Sequence, residues 1–135
     1  MTMMKILRVY PPNFNDIIKA LPWVKGKNGI VYAWVDILYN PSMAHVTPWL
    51  EAHEAVHGER QGAEITQWWD RYLTDPQWRL EEEIPAHRAE WKRYRKVTGS
   101  QAMKTRYLRK IADRLSGPLY GNLIDLPGAI KEINQ

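Results

Sequence analysis

The run Thr47-Pro48-Trp49-Leu50-Glu51-Ala52-His53-Glu54-Ala55-Val56-His57 combines a helix start with two histidines four residues apart and a glutamate beside the first. Thr47 and Pro48 are an N-cap and first-turn pair, so a helix is expected from Pro48 to at least His57. Gly58 and Gly62 leave its end open. Four residues of helix rise about 6 Å and turn about 40°, which lets both imidazoles reach one metal ion. Glu54 is turned about 100° from His53, close enough to hold an activated water and take its proton. On the helical wheel Trp49, Ala52 and Val56 form an apolar arc, with His53 and His57 along its edge. The plain alternative is a helix whose histidines pack or face solvent. With 4 His in 135 residues, chance makes this spacing rare.

A catalytic zinc takes three protein ligands and keeps one position open. No third histidine follows at short spacing, so Glu81, Glu82 and Glu83 are the suppliers to weigh. They sit in a helix expected from Pro76 to about Val97, started by Thr74-Asp75-Pro76 and closed by Thr98-Gly99-Ser100. Leu80, Ile84, His87, Trp91 and Tyr94 define its buried stripe. Glu83 lies about 60° from the stripe centre, Glu81 about 100° and Glu82 about 160°. Glu83 is therefore the expected inward ligand. Glu81 and Glu82 suit an exposed first turn that complements the helix dipole.

Elsewhere, Ile30–Tyr39 reads as the best strand, after the Lys25–Gly29 turn and before Asn40-Pro41. A shorter first strand is expected near Lys5–Val9. Helices are expected over Asn13–Leu21 with Asn13 or Asn15 as N-cap, over Ala63–Leu73, and over Gln101–Leu115. A last short helix has Asp125 as its candidate N-cap. Pro85 should kink the long helix, because it removes a backbone donor. The expected fold class is α+β: one mostly helical domain over residues 1–135 with a small β-sheet.

Hydrophobic residues make up 44% and charged residues 25% of the chain, which excludes extensive disorder. No apolar run approaches a bilayer span, and Met1–Tyr10 lacks the length and cleavage site of a secretory signal. With 0 Cys, a reducing, cytoplasmic setting is expected, and any metal must be held by His, Asp or Glu. The net charge of +4 permits a nucleic-acid partner without demanding one.

The motif residues, together with Tyr39-Asn40-Pro41, Trp68–Pro76, Arg79-Leu80 and Ser116-Gly117-Pro118-Leu119-Tyr120-Gly121-Asn122-Leu123, resemble small phage and prophage metallopeptidases of the gluzincin, thermolysin-like type. That family's third-ligand helix reads Glu-x-x-Ala-Tyr. Here Glu83-Ile84-Pro85-Ala86-His87 replaces the tyrosine by histidine and inserts a proline. His87 could support a ligand or compete as one. The resemblance implies Zn2+, held by His53, His57 and Glu83, with Glu54 as general base in peptide-bond hydrolysis. It implies a peptide or protein substrate and, for a phage protein, the host cytoplasm. Tyr120 is a candidate donor to transition-state charge; its alternative role is a packed aromatic with its hydroxyl satisfied.

A rival reading comes from ten basic residues between Arg88 and Arg114, set against Glu90 and Asp113. A nucleic-acid-binding module shows such a patch, and so does the solvated face of two helices. A third reading is a structural protein in which a metal only braces the fold.

Overall fold

The β-branched and aromatic run Ile30–Tyr39 folds back on itself instead of forming one strand. The computed structural model describes residues 4–135. Residues 1–3, the start of the segment read above for a secretory signal, lie outside the described residues. In order, the elements are β1 (Lys5–Leu7), α1 (Phe14–Ala20), β2 (Tyr32–Trp34), β3 (Ile37–Tyr39), α2 (Pro48–Gln61), α3 (Ile65–Thr74), α4 (Pro76–Val97), α5 (Gln101–Leu115) and α6 (Leu126–Ile133). Single 3-10 turns cover Pro22–Val24 and Pro118–Tyr120. The sheet order is β1-β3-β2, with β1 parallel and β2 antiparallel to β3. The fold is α+β, as expected. No described helix is long and apolar enough to cross a membrane.

The hairpin that replaces the expected single strand turns at Val35-Asp36, where Trp34 pairs with Ile37. Val35 has φ 55°, a region that a β-branched residue enters only under constraint. Three contacts from α2 supply that constraint. The Val35 N–H donates to Gln61 Oε1 at 2.7 Å, and Gln61 Nε2 donates to the Ala33 carbonyl at 2.9 Å. The Val35 carbonyl also lies so close to Gly58 that a Cβ there would sit 1.8 Å from its oxygen. The sequence signal was strand propensity, which says nothing of a turn held open by a neighbouring helix.

Side-chain caps form where expected. Thr47 accepts from Leu50 N–H at 3.1 Å, Asp75 from Trp78 N–H at 3.1 Å and Asp125 from Gly128 N–H at 2.8 Å. Asn13 occupies the N-cap position of α1 but makes no side-chain cap, and its amide is buried without a partner among the described residues. As expected, α4 runs unbroken past Pro85 over 22 residues. The carbonyl that loses its helical partner belongs to Glu81, an exposed residue, where water can serve instead.

Two apolar clusters flank the centre. Leu80, Trp91, Tyr94, Ile111, Leu115, Ala129 and Ile133 join α4, α5 and α6. Ile17, Val24, Tyr32, Tyr39, Trp68 and Trp69 join α1, the sheet and α3. Between them α2 packs along α4. The buried residues of α2 are Ala52, His53, Glu54, His57, Gly58 and Gln61. The histidines are thus at the middle of the buried face, not along the edge of a Trp49-Ala52-Val56 arc. Trp49 and Val56 are only half-buried. This helix turns its polar side inward because α4 offers polar partners there.

Gly58→Ala should destabilise the fold by about 3 kcal/mol, the upper end of the cost of overpacking, because the obstructing atom belongs to the backbone. Urea denaturation measures the loss; an unchanged midpoint would show that the hairpin can move away.

Candidate metal centre

His53 and His57 leave the same face of α2 one turn apart, and α4 brings Glu83 against both. His53 Nε2 and His57 Nε2 each lie 3.0 Å from Glu83 Oε1. All three residues are buried, and one ligand atom from each lies within 4.8 Å of the others. Ligands at about 2.0–2.1 Å from a tetrahedral zinc lie roughly 3.3 Å from one another. The observed spacing therefore suits a single small cation between them. The donor set, two imidazoles and one carboxylate, also suits zinc. Glu83 is the expected ligand, and the structure brings it to the histidines.

The surrounding hydrogen bonds orient these groups. His53 Nδ1 lies 2.8 Å from Glu90 Oε1, and His87 Nδ1 lies 2.9 Å from the same oxygen. The Tyr107 hydroxyl donates to the other Glu90 oxygen. A histidine whose second nitrogen faces a carboxylate is held in one tautomer and made a better ligand. His57 has no such support, since its Nδ1 is buried without a partner among the described residues. The Tyr72 hydroxyl donates to Glu83 Oε2 at 2.5 Å, leaving Oε1 to the histidines.

With protons instead of a cation between them, these groups polarise strongly. Burial alone would lower the His53 pKa, but its hydrogen bonds to Glu83 and Glu90 hold it well above the usual range. Burial alone would raise Glu83, but His57 and His53 hold it well below the carboxylate range. Burial and the neighbouring His53 together lower His87. The Tyr72 hydroxyl is pushed up by burial and by the Glu83 charge.

Glu54 points elsewhere. Its carboxylate takes no hydrogen bond from a described residue and lines a cavity of about 70 Å³, with His57, Tyr72 and Glu83 on its walls. Val31, Tyr32, Ala33, Trp68 and Trp69 complete the lining. That volume holds a few waters. Burial raises the Glu54 pKa, while His53 and His57 pull it back. Tyr120 is buried in its 3-10 turn. Its hydroxyl interacts with Tyr72, and burial and the Glu83 charge push its pKa well up. His45 is exposed in the loop before α2.

One expectation is overturned. Glu82, placed farthest from the buried stripe, is 4% exposed. It takes two hydrogen bonds from Arg60, at 3.0 and 2.6 Å, and one from Trp68 Nε1 at 2.7 Å. The wheel failed because α4 is central: α2 and α3 cover its polar side while α5 and α6 cover its apolar side. Glu82 is therefore a brace between α2, α3 and α4 and not a member of the metal cluster.

Tyr72, Glu90 and Tyr107 were not singled out from the sequence as parts of the site. Glu90 had a signal, because it follows Glu83 by two turns and falls about 20° from it on the wheel. Tyr107 comes from α5 and had no local signal. No protein-family model, curated protein or solved structure matches this chain.

Arg60→Ala should cost about 2 kcal/mol in urea denaturation. The figure falls below that for a fully buried pair because the Arg60 side chain is 46% exposed while Glu82 is not. A loss below a few tenths would show that water reaches Glu82.

Proposed function

We propose that this chain is a zinc-dependent metallopeptidase of the gluzincin-like type. The observation that carries the reading is the approach of His53 Nε2 and His57 Nε2, from one helix, to a single oxygen of Glu83 from another. A zinc ion held by these three residues would supply Lewis-acid activation of water and of a scissile carbonyl. The chain's own residues account for the rest. Glu54, with a raised pKa and no hydrogen bond from a described residue, lines the cavity beside His57 and Glu83; it is the general base and later returns the proton to the leaving amine. Tyr72 and Tyr120 keep their protons because burial and the Glu83 charge oppose ionisation. Tyr120 is the donor to the developing oxyanion, while Tyr72 orients Glu83. Glu90, fixed by Tyr107 and His87, orients His53.

Elemental analysis of protein purified without chelator should find about one zinc per chain. Glu83→Gln should abolish this uptake, and a metal-free preparation that refuses added zinc would remove the proposal's basis.

Glu54→Gln should retain the metal and lower peptide hydrolysis by about 10²-fold or more. Undiminished cleavage would take Glu54 out of its role.

Glu90→Gln should weaken zinc affinity about 10–100-fold with little change in far-UV circular dichroism. Competition with a chromogenic chelator measures it, and an unchanged affinity would make Glu90 a packing residue only.

A further inference from the structure

The chain's charge is divided in space. Residues 88–114 carry ten basic against two acidic side chains, whereas the remaining positions carry nine basic against thirteen acidic. One of the two acids in that segment, Glu90, is buried and engaged by His53, His87 and Tyr107. Asp113 is then its sole exposed carboxylate. Among the ten cations, Arg88 pairs with Glu132 at 2.9 Å. None of the other nine makes an ion pair with a described carboxylate.

The folded arrangement makes a surface of them. Arg106, Lys110 and Arg114 follow one another at one-turn intervals along α5, a row about 12 Å long, and all three are exposed. They lie opposite Ile111, Ala112 and Leu115, which are fully buried. Like charges at this spacing repel, so the row is a standing electrostatic cost in the free protein. Arg106 and Lys110 border a cleft of about 180 Å³ between α4 and α5, floored by Tyr94 and Tyr107. Those two rings stack at 4.1 Å, and the Lys110 ammonium lies 5.9 Å from the Tyr107 ring centre. The cations therefore stand on a stiff aromatic base.

We propose that this α4–α5 face binds the phosphate backbone of duplex nucleic acid. A continuous line of phosphates relieves the repulsion along the row and gains entropy from counterion release. A lipid surface fits less well. The exposed apolar side chains of these helices are Val97 and Met103, too few for the apolar stripe that membrane insertion needs. Tyr107 joins this surface to the metal centre through Glu90, but the cations themselves take no part in that centre, so failure of the surface would leave the peptidase reading untouched.

The test measures anisotropy of a labelled DNA duplex with the full chain over a range of salt. Affinity should fall with salt at a log–log slope of about −3 to −5, the value for four or five phosphate contacts. The combined variant Arg106→Gln, Lys110→Gln and Arg114→Gln should bind at least tenfold more weakly at low salt. Its slope should shrink by about 0.9 for each cation removed, with zinc uptake and circular dichroism unchanged. If that variant fails to fold, Arg106→Gln and Lys110→Gln made singly, at the two cations that border the cleft, test the same row by the same two readouts. No binding at low salt, or variants that bind like the parent, would overturn the proposal. Tighter binding to phosphatidylglycerol vesicles or to poly-glutamate than to the duplex would overturn the choice of partner.

Discussion

Glu83 places a carboxylate between two imidazoles in the interior, where His53 and His57 offset its charge. An unpaired buried charge costs several kcal/mol, so the helices that carry these groups must lie side by side at fixed rotation. That requirement explains why α2 turns its polar side toward α4. It also explains the layers beyond the trio. Tyr72 satisfies the second oxygen of Glu83, while Glu90 faces the second nitrogen of His53. Tyr107 and His87 then satisfy Glu90. Glu83, His53 and Glu90 are each admitted because the next group out completes them, whereas His57 Nδ1 has no partner among the described residues.

Aromatic side chains enclose this polar seam. Trp68 stacks on Tyr72 at 4.9 Å and meets His57 edge-on at 5.4 Å, while Tyr94 stacks on Tyr107. They contribute apolar area and also donors at defined points: the Trp68 N–H serves Glu82, and the tyrosine hydroxyls serve Glu83 and Glu90. Low polarity around the seam strengthens every interaction inside it. The small sheet is tied to the same seam. Gln61 and Gly58, on the helix that carries the histidines, hold the Val35 turn, and the strand leading into that turn forms one wall of the cavity beside Glu54. Motif helix and sheet are thereby locked in register.

Local chemistry was legible wherever its cause was local. The Thr47, Asp75 and Asp125 caps, the α5 boundaries and the α4 boundaries all follow from residues within one turn of the helix end. Glu83 was legible too, because its angle to Leu80 and Trp91 is a property of one helix. Glu82 was not, since its burial depends on Arg60 and Trp68 arriving from two other helices. The Ile30–Tyr39 run was misread as a single strand because its reversal at Val35 is imposed from α2.

The amino-acid sequence by itself determined the helices, the capped starts of α2, α4 and α6 and the pair of histidines that can share a ligand, because these depend on residues close together along a backbone of known pitch. Only the tertiary structure decided which carboxylates are buried, which imidazole is supported and where the hairpin turns. Those outcomes depend on groups far apart in the chain, such as Tyr107 with Glu90 and Gln61 with Ala33. They meet because each would otherwise be a buried polar group without a partner.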